Sequence, residues 1–489
     1  MINNSWITAQ AFEKIGYYPH HGIDIILSSI WTNQSCGIGE FYDLIPLIDW
    51  CKEVGFDIIQ LLPINDTHDQ ASPYLAVSSS ALNPIFLSLW KLPKVQKSDL
   101  DRFHPFQKRA KIPYQEILQQ KMLFLHEYYQ STKKPSDYIE FLGKHEWLSS
   151  YSAFKSEKSI ENFSPDFFSY LQYLCFEQMS EVKRYANLQG IFLKGDIPIL
   201  INKESADVHF HPEFFDLRYT AGAPPDQYAE DGQNWGFPLY NWQALKNEGF
   251  SWWKQRLQIA ENFFDIYRLD HIIGFFRIWA IELGKKAKEG FFIPSDPKEQ
   301  QEQGLSIFTQ LLPSTTMLPI GEDLGFNTVI AQTNMAKLGI AGTKVVRWMR
   351  KYDQDGSFIA YRDYPELALC TVSTHDSETL ALWWQNFPEE AKEFSKFSNI
   401  AYEPILTKAN RAKILQDSHS ACSIFHINLL SEYLALFDEL VSPRLEDERI
   451  NIPGKILDTN WTYKIKISLE ELSNHEPLKQ AIRSILPKK

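Results

Sequence analysis

The chain has 489 residues, 44% hydrophobic and 14% aromatic, enough to bury a large core. Its formal charge is −12, from 49 basic and 61 acidic residues without a long basic block, which makes nucleic acid and anionic membrane poor partner classes. The five cysteines show no Cys-x-x-Cys spacing, as expected for reduced thiols in the cytoplasm.

The opening MINNSWITAQAFEKIG lacks the basic and apolar regions of a signal peptide, and no apolar run approaches the roughly 18 residues of a membrane helix. GIDIILSSI (22–30) then reads as a buried strand, WTNQSCGIGE as a polar loop, and FYDLIPLIDWCKEVG (41–55) as a helix. FDIIQLLPI (56–64) is the next strand, so the chain begins with a unit that predicts a parallel sheet. Residues 95–185 are charged and helix-periodic, the pattern of a helical insertion. Strand-like runs return at 188–200, 263–272, 316–325, 342–349, 367–376 and 421–430. The total is the count for a (β/α)8 barrel interrupted by insertions. The expected division is a first barrel part (1–94), the helical insertion (95–185), the remaining barrel (186–440) and a C-terminal cap (441–489). Segments 205–242 and 281–312 are expected to be substrate loops.

Four of the strand runs end in acidic residues: Asp196 in KGDIPI, Asp270 in YRLDH, Glu322 in IGEDLG and Asp376 in STHDSE. Barrel strands end around one mouth, where barrel enzymes carry their chemistry, so the four should share a site. Arg268 lies two residues before Asp270, and His271 and His375 each adjoin an aspartate. Converging carboxylates suit metal binding or glycosidic bond cleavage by a carboxylate pair. HFH (209–211) has the spacing of a metal-binding histidine pair but falls in a polar loop away from an early strand end. The loop TAGAPPDQYAEDGQNWGFPLYNW (220–242) offers Tyr228, Trp235, Tyr240 and Trp242 as rings for sugar faces, in the manner of a substrate-gripping lid.

GIGEF, LLPI, SPYLAVSSSALNP, GDIPI, SADVHFHPEFF, AGAPPD, GQNWGFPLYNW, YRLDH, GEDLG, STHD, NIPG and the Asn460-Trp461 pair occur in the order found in the amylomaltases. The chain thus resembles the 4-alpha-glucanotransferases of glycoside hydrolase family 77 over nearly its whole length except the helical insertion. The resemblance implies an interrupted (β/α)8 barrel without a separate C-terminal β-domain. It implies Asp270 as nucleophile, Glu322 as general acid/base and Asp376 as the carboxylate that holds the distorted sugar. Arg268 would keep the nucleophile ionised, and His271 and His375 would bind hydroxyls of the sugar in subsite −1. Asp196 and Tyr74 would line that subsite, and Trp235 and Asn460 would belong to the extended glucan groove. Retention requires Asp270 and Glu322 to stand roughly 5–5.5 Å apart. The implied substrates are α-1,4-glucan donors and acceptors, maltooligosaccharides or glycogen, with no metal, nucleotide sugar or other cofactor.

Two departures bear on specificity. Gln227-Tyr228 stands where many amylomaltases have Tyr-Phe, and Ile272-Ile273 where they have Phe-Arg. HIIGFFRIW is similar to the cytosolic disproportionating branch that uses large branched acceptors, although that branch's N-terminal starch-binding modules and its long insertion within the barrel are absent. A same-clan α-glucan hydrolase, a glucan-binding protein without catalysis and a metal-dependent barrel hydrolase are the alternative readings.

Overall fold

The computed structural model describes residues 2–225, 230–325, 328–455 and 457–487. The loop ring Tyr228 and the Asp226–Gln227 stretch lie outside them.

Twelve strands occur among the described residues: β1 (His20–Ile25), β2 (Ile58–Leu61), β3 (Phe192–Ile197), β4 (Phe215–Ala223), β5 (Gln233–Tyr240), β6 (Ile266–Leu269), β7 (Ile278–Glu282), β8 (Phe291–Ile293), β9 (Leu318–Gly321), β10 (Gly342–Val345), β11 (Ala368–Thr371) and β12 (Phe425–Leu429). Eight of them form a parallel sheet in the order β10-β11-β12-β1-β2-β3-β6-β9. A parallel bridge between Ile320 and Ala341 joins the two end strands and closes the barrel. Each strand-like run of the sequence contributes one barrel strand. Such strands are buried on both faces, which is why β1, β2, β9, β11 and β12 are buried at every residue.

The barrel's lower interior is apolar: Ile58, Ile266, Leu318, Ile320, Leu369, Phe425 and Ile427 form one cluster. The helix Ala9–Ile15 closes it by placing Ala11, Phe12 and Ile15 against the same residues. Thr8 anchors that helix through a hydrogen bond of 2.8 Å from its hydroxyl to the Gly339 carbonyl.

Between β2 and β3 run the helices Tyr114–Ser131, Tyr138–Lys144, Trp147–Lys158 and Pro165–Gln189. The last begins with Ser164, whose hydroxyl accepts from the Phe167 N–H, and ends at left-handed Gly190. It delivers the chain directly into β3. The sequence reading treated 205–242 as a loop. It instead contributes the β4–β5 hairpin, which joins β7 and β8 in an antiparallel sheet of order β5-β4-β7-β8, and the other expected loop, 281–312, contains β8 and the helix Pro297–Leu311. That sheet stands beside the barrel mouth. The chain's last helix, Glu476–Ile485, packs on Leu44–Val54, while the loop between 449 and 461 returns to the mouth.

Candidate active site

Strand register sets the site. On β3 and β6, Asp196 pairs with Arg268, and Leu269 of β6 pairs with Gly321 of β9, so Asp270 and Glu322 leave neighbouring strand ends together. Arg268 is the hub. Its Nη1 lies 2.9 Å from both oxygens of Asp196 and 2.9 Å from Asp270 Oδ1, and its Nη2 is 3.7 Å from Glu322 Oε2. A guanidinium suits this position because its fork of donors serves several carboxylates and it keeps its charge when buried. The expected pairing with Asp270 is present, but Arg268 serves Asp196 equally.

Glu322 is held by its backbone surroundings. Its Oε2 accepts from the His271 N–H and its Oε1 from the Leu324 N–H, both at 2.9 Å. His271 can offer that N–H because it adopts a left-handed conformation at φ 42°. Burial, reinforced by the nearby Asp270 charge and opposed by Arg268, lifts Glu322 to about 8. The adjacent acid of the GEDLG motif is committed to structure: Asp323 accepts from the Thr343 N–H and from Lys344 Nζ, each at 2.7 Å.

Burial also raises Asp270; Arg268 pulls it back, while Asp196 and Asp376 push it up. Asp376 moves the other way. Burial would raise it, but His375, 3.4 Å away, and a 2.7 Å hydrogen bond from Asn451 Nδ2 hold it at about 2. Neighbouring carboxylates are thus driven apart, the arrangement that separates an acid from an ionised partner. Burial, with Arg268 and Arg277 nearby, lowers His271 to about 4, which leaves a neutral imidazole for hydrogen bonding.

Tyr74 donates to Asp196 Oδ2 at 2.7 Å and lies 3.0 Å from His375 Nε2, with its ring stacked on that imidazole at 5.5 Å. Asp196 is 4% exposed and is engaged by Arg268 and Tyr74, so it braces the site where the sequence reading had it lining the subsite. Trp235 rests edge-on against His271 at 5.1 Å. Asn460 lies in the loop that returns to the mouth. Its amide donates to the Lys455 carbonyl and accepts from the Ile452 N–H, which closes the NIPG turn. The neighbouring Trp461 is the one at the mouth, 5.7 Å from Tyr74 and 6.0 Å from His375.

Two groups escaped the sequence reading. Asn451 follows a strand-poor stretch, and nothing in NIPG announces a ligand of Asp376. Asp24, Gln60 and Lys194 share one barrel layer beneath the mouth, since Asp24 pairs with Gln60 and Gln60 with Lys194. Lys194 donates to Gln60, and Asp24 Oδ1 has no hydrogen-bond partner among the described residues. Burial brings Lys194 down to about 7 and Asp24 up to about 6. A charge inside each apolar run, GIDIIL and IFLKGD, was the available signal.

His209 and His211 lie at the end of a short helix, where their rings pack on Phe154 and Phe214. Among the described residues, no group of three or more metal-ligating side chains is placed to hold an ion.

The family described as "4-alpha-glucanotransferase", glycoside hydrolase family 77, matches residues 25–165 and 155–470. The chain belongs to this family. It is 45% identical over 516 residues to a 4-alpha-glucanotransferase of Chlamydia pneumoniae, covering 98% of this chain and 97% of that one. The 4-alpha-glucanotransferase DPE2 of Oryza sativa is 33% identical over 361 residues, 63% of this chain and 38% of that protein. Among solved structures, the amylomaltase of Streptococcus agalactiae in complex with acarbose superposes with a TM-score of 0.81 at 22% identity, covering 96% of this chain and 98% of that one. The fold is therefore that of an amylomaltase, and the enzyme is a 4-alpha-glucanotransferase acting on α-1,4-glucans.

Proposed function

We propose that the enzyme moves a glucan segment by retaining double displacement, with Asp270 as nucleophile and Glu322 as acid/base. The observation that carries this reading is Arg268 touching Asp270 at 2.9 Å while it stands 3.7 Å from a Glu322 that burial keeps protonated up to about 8. In the first step the Asp270 carboxylate attacks the anomeric carbon, and Glu322 gives its proton to the departing glycosidic oxygen. The donor's reducing-end portion leaves, and the rest stays as an ester on Asp270. In the second step Glu322, now a carboxylate, takes the proton of an acceptor's 4-hydroxyl as that oxygen attacks the same carbon and releases Asp270. Two inversions give net retention.

Asp376, ionised and 45% exposed at the mouth, supplies a fixed negative charge beside the developing oxocarbenium ion. His271 and His375 bind hydroxyls of the reacting sugar, Tyr74 stacks below it, and Trp235 belongs to the groove. Rings at the mouth favour an acceptor sugar over water, which tips the enzyme toward transfer. Maltooligosaccharides and glycogen are the proposed donors and acceptors. The free cysteines, four of them buried, suit work in a reducing cytoplasm. No helix among the described residues is long and apolar enough to cross a membrane.

Incubation with maltotriose tests the reading. A ladder of longer oligosaccharides with glucose accumulating, at a nearly constant number of reducing ends, is expected. Rising reducing ends with only shorter products would replace it with the hydrolase.

A further inference from the structure

The small antiparallel sheet carries a second concavity that the proposed chemistry leaves unused. It is an open groove of about 690 Å³ lined by β7, β8 and the start of the helix Pro297–Leu311. That size lies within the roughly 300–1,000 Å³ of small-ligand sites. Aromatic rings of Trp279, Phe291 and Phe292 line it beside Ile293 and Pro294. Phe291 is 43% exposed and meets Tyr219 edge-on at 5.8 Å. Phe292 carries the Arg277 guanidinium over its face at 4.0 Å and meets Trp279 edge-on at 4.9 Å. The exposed Glu299 adds a carboxylate at the rim. Flat rings bordered by a guanidinium and a carboxylate match a glucose chain, whose ring faces are apolar and whose edges are hydroxyls.

Two features tie this groove to the barrel mouth. β7 begins three residues after the turn Ile272–Phe275, and the charge of Arg277, after burial and Arg268, helps to lower His271. The β4–β5 hairpin spans the same interval: its Trp235 touches His271, and its Asp231 accepts from Lys288 at 3.1 Å in the turn before β8.

We propose that the groove is a distal glucan site, which holds sugars remote from the reacting bond on a chain whose reacting sugar sits at the mouth. This rests on the glucanotransferase reading and adds to it a preference for long chains. Binding there adds affinity for polymers without touching the reacting atoms, so its effect is a selectivity between substrates.

The test compares kcat/KM for amylose and for maltotriose in the wild type, Phe291→Ala and Glu299→Ala. The amylose-to-maltotriose ratio is expected to fall about three- to tenfold in Phe291→Ala and about twofold in Glu299→Ala. A ratio equal to wild type in both variants overturns the proposal, whether the two rates stay constant or fall together. Should Phe291→Ala lower the melting temperature, Glu299→Ala, exposed on a helix, decides alone. Failure of the wild type to elongate maltotriose would be a separate result, against the transfer reading itself.

Discussion

At the barrel mouth Arg268 is shared among Asp196, Asp270 and Glu322, and Glu322 is pushed to about 8 while Asp376 is held at about 2. At the opposite end three more titratable side chains are buried, and they are arranged differently. His21 and His419 meet Nδ1 to Nδ1 at 2.9 Å, His419 Nε2 lies 2.6 Å from the Tyr433 hydroxyl, and His426 Nδ1 lies 2.8 Å from the Ser418 carbonyl. Burial, with His21 and His426 beside it, drives His419 well below its ordinary value, and burial, opposed by the backbone of Ser418 and Ser423, brings His426 to about 4. In the lower cluster His419 and His426 are neutral and paired; the upper one keeps net charge and open faces. Polar groups at the N-terminal end of barrel strands hold the fold together, and those at the C-terminal end are left free to react.

Substitutions should separate the two ends. Asp270→Asn is expected to cost about 10⁴-fold or more in transfer, read from maltotriose disproportionation, with the unfolding transition unchanged. A loss below tenfold would remove Asp270 from the nucleophile's role. Glu322→Gln should cost about 10²–10⁴-fold. Because the wild type needs Glu322 protonated for the first step, its rate should fall as pH rises past about 8. Acid should also slow it, because Asp270 must be ionised to attack. In Glu322→Gln the alkaline limb should vanish, and its persistence would assign that limb to another group.

Asn451→Ala removes a 2.7 Å hydrogen bond to an ionised carboxylate and should lower kcat/KM about tenfold. The same change should leave stability near wild type, since it lies in a mouth loop.

The lower cluster should have the smallest effect on activity and act on stability instead. A histidine held at about 4 when folded but near 6.5 when unfolded makes the unfolded chain bind more protons between those values. Its contribution is therefore fully present above about pH 6.5 and is lost as pH falls toward 4, to a limit of about 3 kcal/mol. Urea midpoints at pH 7 and pH 4.5 should differ less in His426→Gln than in the wild type, with transfer activity at pH 7 largely kept. An equal difference in both proteins would mean that His426 does not report this linkage.

How much of this was legible depended on how local each signal was. The barrel strands are apolar runs bounded by turn residues, and Asp196, Asp270, Glu322 and Asp376 end four of them, so both strands and acids could be read from the chain. The β4–β5 hairpin was missed because its residues alternate poorly: Gln233, Asn234, Gly236 and Pro238 read as loop, and only pairing with β4 makes them strand. The loop contacts of Asn460 were not legible, because a side chain's hydrogen-bonding partners are not a property of its motif. Its amide closes the turn after Ile452.

By itself the sequence determined the parallel barrel and the carboxylates at its strand ends, because strand burial and strand termination are written in contiguous residues. Only the tertiary structure decided the ionisation pattern. Arg268 reaches its acids across three strands, Asn451 reaches Asp376 from a loop 75 residues later, and Asp24 and Lys194 meet the mouth through the barrel's interior. Electrostatic interactions depend on distance and burial in space, and neither can be read along the chain.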